Sequence, residues 1–240
     1  MTARDVGVVI VAAGSSSRTG DGELKQFRWV AGRPMLLHTL QLFQSRADVA
    51  MVVCVLPREF AGDPPPWIFQ SDTERMLVSV GGRTRAESVR NGIADLTPDC
   101  RIVLVHDAAR PLVPPAVVDR VVAALRGGAQ GVVPALPLAD TVKRVGPDGS
   151  VAETLDRSAL RAVQTPQGFP AGVLRDALAA HSADATDCAS MVERLGVAVV
   201  CVEGDERAFK VTTPADLARA VQMAGEDDDD EGAHDHDHDG

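Results

Sequence analysis

Six short apolar runs recur along the chain, VGVVIVA (6–12), VAMVVCVL (49–56), MLVSV (76–80), RIVLVH (101–106), GVVPAL (131–136) and VAVVCVE (197–203). Most are too short for helices and too continuously apolar for strands with one wet face. They suit strands covered on both sides, as in a parallel sheet. Helical patterns fill the intervals. PMLLHTLQLF (34–43) begins with proline, a good first-turn residue. In TRAESVRNGIADL (84–96), Thr84 is a candidate N-cap with Glu87 three positions on, the capping-box spacing. PPAVVDRVVAALRGG (114–128) puts Val117, Val118, Val121, Val122 and Leu125 on one face and ends in glycines. TPADLARAVQMAG (213–225) has both a start and a stop signal. Strands alternating with helices predict an α/β fold, doubly wound around a mostly parallel, Rossmann-like sheet.

Two segments break this rhythm. REFAGDPPPW (58–67) reads as a proline-rich surface connection. DTVKRVGPDGSVAETLD (140–156) carries β-branched residues on both sides of Gly-Pro-Asp-Gly, a turn signal, and predicts a β-hairpin arm over about 138–160. Such an arm projects and presents edges that want a partner. The chain is read as one domain over 1–225 followed by a solvated, disordered acidic His/Asp tail over 226–240.

Charge decides little about partners. The net charge is −10, but residues 226–240 hold nine Asp and Glu and no Lys or Arg, so the body nets −1. Aromatics are 3% of residues and tyrosine is absent, which leaves little for stacking on nucleic acid. No apolar run approaches the ~20 residues of a membrane helix. The N-terminal apolar stretch leads directly into a loop of apparent chemistry and is read as a strand rather than a leader, so a cytoplasmic protein is expected. Cys54, Cys100, Cys188 and Cys201 show no CxxC spacing, and Cys54 and Cys201 lie in strand-like runs; buried free thiols are expected.

Ligands of open α/β sheets bind at the carboxyl ends of the strands. After the first strand comes AAGSSSRTGDGELKQF, neither a Walker A loop nor a dinucleotide fingerprint. Ala12, Ala13 and Gly14 still permit close approach, Ser15, Ser16 and Ser17 add hydroxyls and amide N–H groups, and Arg18 and Lys25 can neutralise a triphosphate. After the third strand, Gly81 and Gly82 precede a helix N-terminus. After the fourth, HDAARP places Asp107 where a carboxylate could sit near a phosphate-bound metal, with Arg110 three residues on. His106 is read as a core histidine. Lys210, in FKVT near the end of the chain, suggests an anionic ligand or a snorkelling side chain.

The ordered set AAGSSSR…K, GGxxR…S, HDAARP, DT, QTPQGF and FKVTTPADL resembles the 2-C-methyl-D-erythritol 4-phosphate cytidylyltransferases of the non-mevalonate isoprenoid pathway, over roughly residues 6–224. The resemblance implies transfer of a cytidylyl group from CTP to a sugar-alcohol phosphate with release of pyrophosphate, supported by Mg²⁺ or another divalent cation. It implies catalytic roles for Arg18 and Lys25, and a CTP pocket lined by Ala12, Ala13, Gly14, Ser15, Ser16, Gly81, Gly82, Arg85 and Ser88. Asp107, Arg110, Thr141, Arg157, Thr165, Thr186 and Lys210 would surround the sugar-alcohol phosphate, with Asp107 also near the metal. It further implies a homodimer through the arm, so that Thr141 and Arg157 act across subunits. TDCAS (186–190) departs from the family pattern by placing Cys188 where an acidic residue is expected. The readings set beside this one are a ribitol-5-phosphate cytidylyltransferase, a non-catalytic CTP-binding module, and metal storage or delivery through the His/Asp tail.

Overall fold

The structure, a computed structural model, describes residues 3–14, 24–70, 72–180 and 187–232, with side chains to residue 225. In chain order the elements are β1 (Val6–Val11), β2 (Trp29–Val30), β3 (Arg33–Pro34), α1 (Met35–Gln44), β4 (Val49–Leu56), α2 (Arg58–Ala61), β5 (Met76–Val80), α3 (Arg85–Ala94), β6 (Ile102–Asp107), α4 (Pro115–Arg126), β7 (Val132–Pro137), β8 (Val142–Val145), β9 (Val151–Leu155), β10 (Arg161–Val163), β11 (Gln167–Pro170), α5 (Ala171–Ala180), α6 (Cys188–Arg194), β12 (Val200–Glu203) and α7 (Pro214–Gly232).

The central sheet runs β10-β7-β11-β6-β1-β4-β5, with β12 on the other side of β7. β5, β4, β1 and β6 are mutually parallel, as the apolar runs predict. Side chains of successive strand residues point to opposite faces. Val6, Val8 and Ile10 accordingly join Leu36, Leu40 and Phe43 of α1 and Val117, Val118 and Val121 of α4 in one buried layer. Val9 joins Val53, Val55, Val103 and Val105 against Val89 and Ile93 of α3, Leu174 and Leu178 of α5 and Met191 of α6. Two covered faces explain why these strands read as unbroken apolar runs rather than alternations.

Several details were not in the pattern. β11 inserts antiparallel between β6 and β7, and β10 pairs antiparallel with β7. Between β10 and β11 the Thr165–Pro166 bond is cis. The 58–67 connection is more than surface: Ile68 just after it is fully buried, and Trp67 packs edge-on against Phe27 at 5.3 Å. Cys54, Cys100 and Cys188 are buried free thiols, but Cys201 is exposed, because among the described residues β12 pairs only with β7 and so lies at an edge. α7 continues past Gly225 to Gly232, into the segment expected to be disordered. Its described packing face, with Ala220 and Ala224 in a small cluster with Val30 and Met35, ends at Ala224. Residues 233–240 lie outside the described residues.

The hairpin is present. Among the described residues β8 and β9 pair only with each other, Val142 opposite Leu155 and Arg144 opposite Glu153, around a turn with Gly149 at φ +79°. Val145 and Val151 near its tip are 59% and 61% exposed, an apolar pair that one chain leaves in water. Among the described residues no helix is long and apolar enough to cross a membrane.

Candidate active site

The carboxyl ends of β1, β5 and β6 open on one cleft of about 710 Å³. Backbone bonds fix the loops that form it: Ala12 N–H to Val55 O (2.9 Å), Gly81 N–H to Leu56 O (2.7 Å) and Ala108 N–H to Val11 O (3.1 Å). Gly81 and Gly82 are required by crowding. A Cβ on Gly81 would lie 2.3 Å from the Ala13 Cβ, and one on Gly82 would lie 2.2 Å from the Glu87 Cβ. The loop after β5 therefore lies flat against both the first loop and the start of α3.

Local chemistry holds that second loop. Thr84 caps α3, its Oγ1 accepting the Glu87 N–H at 3.1 Å. The reciprocal arm of the expected capping box lands one residue earlier: Glu87 Oε2 accepts the Arg83 N–H at 2.7 Å. Ser88 Oγ accepts the Gly82 N–H at 3.1 Å and donates to Thr84 O. Ser88 is buried, so its hydroxyl shapes the loop from beneath.

Asp107 ends β6 at the floor of the cleft, with two cations on its oxygens. Arg85 Nη2 lies 3.0 Å from Oδ1 and Lys210 Nζ 2.8 Å from Oδ2. Burial alone would raise this carboxyl, but the Arg85 and Lys210 charges outweigh it and hold Asp107 well below the usual carboxylate range. Arg85 also points Nη1 at Cys188 Sγ, 3.4 Å away. Burial pushes the Cys188 thiol up, so the neutral form is favoured there; the Arg85 charge opposes this without overcoming it. Gln167 fixes Cys188: its Oε1 accepts the Cys188 and Ala189 N–H groups at 3.1 and 3.2 Å, and its Nε2 donates to Asp187 at 2.8 Å.

Ala13, Gly14, Lys25, Gly82, Arg85, Ser88, Asp107 and Lys210 all line the cleft. Ala12 lies just beneath it, its carbonyl accepting a hydrogen bond from the Gln26 side chain. Arg110 sits on the turn after Asp107, outside the cleft lining, donates to Ala208 O at 2.6 Å, and leaves its buried Nε without a partner among the described residues. Burial draws Arg110 below its ordinary value; Asp107 opposes this and Arg85 adds to it. Thr165 is buried behind Asp107, its hydroxyl bonded to the Asp107 N–H and to His106. Thr141 and Arg157 lie on or beside the arm and do not line the cleft, and Arg157 donates to Ala139 O. Ser15, Ser16, Arg18 and Thr186 lie outside the described residues.

The structure adds residues that the sequence did not single out. Gln26, Arg83, Ala108, Ala109 and Thr212 join the lining. Gln26 had no signal of its own; it matters because the turn Lys25–Phe27 buries it under Ala12. Among the described residues no group of three or more His, Cys, Asp or Glu side chains could hold a metal ion. A magnesium ion commonly takes one or two carboxylates and fills its shell with substrate phosphates and water. Asp107, ionised and with lone pairs left on both oxygens, fits that mode.

The cleft is thus a cationic floor around one ionised carboxylate, beside the small residues Ala13 and Gly14, which is chemistry for an anionic, phosphate-bearing ligand. The comparisons agree. The family model for 2-C-methyl-D-erythritol 4-phosphate cytidylyltransferase matches residues 6–225. A relative of that name from Streptomyces coelicolor is 49% identical over 221 residues, 88% of this chain and 82% of the relative. One from Frankia casuarinae is 44% identical, covering 90% of this chain and 79% of the relative. Among solved structures, 2-C-methyl-D-erythritol 4-phosphate cytidylyltransferase from Thermus thermophilus superposes with a TM-score of 0.77 at 36% identity, covering 92% of this chain and 99% of that one.

Proposed function

This chain belongs to the 2-C-methyl-D-erythritol 4-phosphate cytidylyltransferase family, and we propose how its own residues carry out the family's reaction. The enzyme is a nucleotidyltransferase of isoprenoid precursor biosynthesis. It joins CTP to 2-C-methyl-D-erythritol 4-phosphate and releases pyrophosphate.

The attacking group is a phosphate monoester oxygen, already largely ionised near neutrality because its second pKa is ~6. No general base is needed. The demand is electrostatic: two polyanions must be brought in line, and charge building on the α-phosphate and on departing pyrophosphate must be neutralised. Lys25, at the mouth of the small-residue loop, and Arg18 meet that charge. Ala12, Ala13, Gly14, Ser15, Ser16, Gly81, Gly82, Arg85 and Ser88 form the nucleotide side. A divalent cation, Mg²⁺ in the first instance, would be held by Asp107 together with the triphosphate and would neutralise part of its charge.

Asp107, Arg110, Lys210, Thr165 and Thr186, with Thr141 and Arg157 from a partner's arm, form the sugar-phosphate side of a homodimer. The Arg110 Nε supports this, since a buried guanidinium N–H without an acceptor among the described residues is one that a phosphate reaching it would satisfy. Residues 1–225 act as one catalytic domain with the arm at about 138–160, in the cytoplasm. The observation that carries the reading is Asp107 clasped by Arg85 and Lys210 on the floor of the cleft that Lys25 lines.

The test is pyrophosphate release from CTP and Mg²⁺ with either 2-C-methyl-D-erythritol 4-phosphate or ribitol 5-phosphate. Release with the first alone is expected. Release with ribitol 5-phosphate alone, or CTP binding without turnover of either, would overturn it.

A further inference from the structure

His106 is fully buried, lies outside the cleft lining, and has no part in the chemistry above. Its ring meets Phe43 edge-on at 5.2 Å, which by itself is an ordinary core contact. Both ring nitrogens, however, are engaged by segments that carry site residues. Nδ1 lies 3.0 Å from Thr165 Oγ1, and Nε2 lies 3.2 Å from the Arg110 carbonyl.

These bonds fix where the hydrogens sit. The Arg110 carbonyl can only accept, so Nε2 carries the ring hydrogen. Thr165 Oγ1 already accepts the Asp107 N–H at 3.2 Å. Its own hydroxyl hydrogen then goes to Nδ1, the free lone pair of a neutral imidazole. One polar chain results: Asp107 N–H to Thr165 O–H to His106 to Arg110 C=O. It ties together the end of β6, the cis-proline segment before β11 and the turn that carries Arg110. Arg110 in turn holds Ala208 O, two residues from Lys210.

We propose that His106 is a positioning residue for the sugar-phosphate side of the site, setting Asp107, Arg110 and Thr165 in one mutual arrangement through a single tautomer. The inference rests on the reading that Arg110 and Asp107 serve that side. It also changes the role of Thr165. That hydroxyl is spent inside the protein, so Thr165 acts on the substrate through Asp107 and His106. A ring that merely filled the core beneath Phe43 would be replaced by phenylalanine at a cost in stability but with no loss of sugar-phosphate turnover in the folded variant. Replacing a ring that sets the hydrogen-bonded chain would lower that turnover as well.

The test compares KM and kcat for both substrates in the full chain and in His106→Phe, His106→Gln, Thr165→Val and Arg110→Ala, with thermal melts as folding controls. His106→Phe keeps an aromatic ring against Phe43 and loses both bonds. Thr165→Val keeps the histidine and cuts the chain from the other end, so it decides the matter should His106→Phe fail to fold. The expected result is a fall of about tenfold to a hundredfold in kcat/KM for the sugar phosphate in both, larger than any rise in the KM for CTP. His106→Gln, whose amide can donate to the Arg110 carbonyl, should recover part of the loss. Arg110→Ala should raise the sugar-phosphate KM directly. If Arg110→Ala has that effect while folded His106→Phe and Thr165→Val do not, the inference is overturned and the reading of the site stands. If both substrates lose equally without rescue by glutamine, the role is structural and the inference is again overturned. If Arg110→Ala changes nothing, the reading of Arg110 fails and the inference falls with it.

Discussion

Lys210 reaches Asp107 across 103 residues of chain, its Nζ 2.8 Å from Oδ2, on the carboxylate whose other oxygen already pairs with Arg85. The carboxylate keeps two cations from repelling one another on the floor that we propose receives phosphates. Asp107→Asn keeps the shape and removes the charge. We expect it to lower kcat/KM by about a hundredfold, since the cations lose their common anchor. Lys210 is 45% exposed, so the stability cost falls below that of a fully buried pair, about 2 kcal/mol by urea unfolding. Unchanged turnover in the folded variant would remove Asp107 from the site.

Lys25 begins the short turn Lys25–Phe27, which buries Gln26 and Phe27 and so anchors Lys25 in the lining of the cleft. Lys25→Ala leaves those anchors in place. Turnover should fall about a hundredfold or more while CTP still binds, as for loss of one transition-state charge contact. Stopped-flow chemistry beside a CTP titration separates the two quantities, and near-normal turnover would sink the role.

His106 also makes a pH prediction. Burial pushes it down to about 4, against an ordinary value of 6.5. Between those values the unfolded chain binds a proton that the folded chain refuses, so stability falls as pH drops through that window. The slope is at most about 1.4 kcal/mol per pH unit, roughly 3 kcal/mol in all. The depressed Asp107 carboxyl acts in the same direction at lower pH, below the ordinary carboxylate range. Urea melts at pH 7, 5.5 and 4.5 should show the loss, and His106→Gln should flatten it. Parallel curves for parent and variant would rule out His106 as the source.

Much of this was legible in the chain itself. Strand β4 begins and ends where its apolar run does, because a strand covered on both faces leaves few polar positions to blur its limits. Asp107 and the two glycines stood out because strand-end loops are where α/β sheets bind ligands. The strand β11 was not legible: QGFP holds a glycine and a proline and is made a strand only by insertion between β6 and β7. Nor was the direction of the Thr165 hydroxyl, or the contact of Cys188 with Arg85, each of which depends on segments far apart in sequence. Cys201 was misjudged because a strand-like run does not reveal whether its strand lies at an edge.

The segment after Lys210 is tied down by a reciprocal cap. Thr213 Oγ1 accepts the Asp216 N–H at 3.2 Å, and Asp216 Oδ2 accepts the Thr212 and Thr213 N–H groups at 2.8 and 2.7 Å. Asp216→Ala should cost about 1 kcal/mol of stability. The Thr212 hydrogen bonds hold Asp216 below its ordinary value, so its contribution is present above the usual carboxylate range and is lost on acidification through and below it. Thermal melts of parent and variant should therefore differ at pH 7 and converge in acid; a constant gap would count against the cap as the cause.

The arm poses the last question. β8 and β9 form their own sheet, expose Val145 and Val151, and keep Thr141 and Arg157 away from the cleft of the same chain. If those two residues serve catalysis, they serve the cleft of a second copy. Arg157→Ala should then raise the KM for the sugar phosphate without weakening CTP binding. Mixing it with Lys25→Ala should restore activity, because a mixed dimer holds one site with both defects and one with neither. Random exchange leaves about a quarter of sites intact, the ceiling for recovery in a two-fold symmetric dimer. Recovery that appears only after subunits exchange would place Arg157 across the interface. No recovery, with mixed dimers demonstrated by mass, would confine each site to its own chain and leave the exposed valines of the arm as an edge for assembly alone.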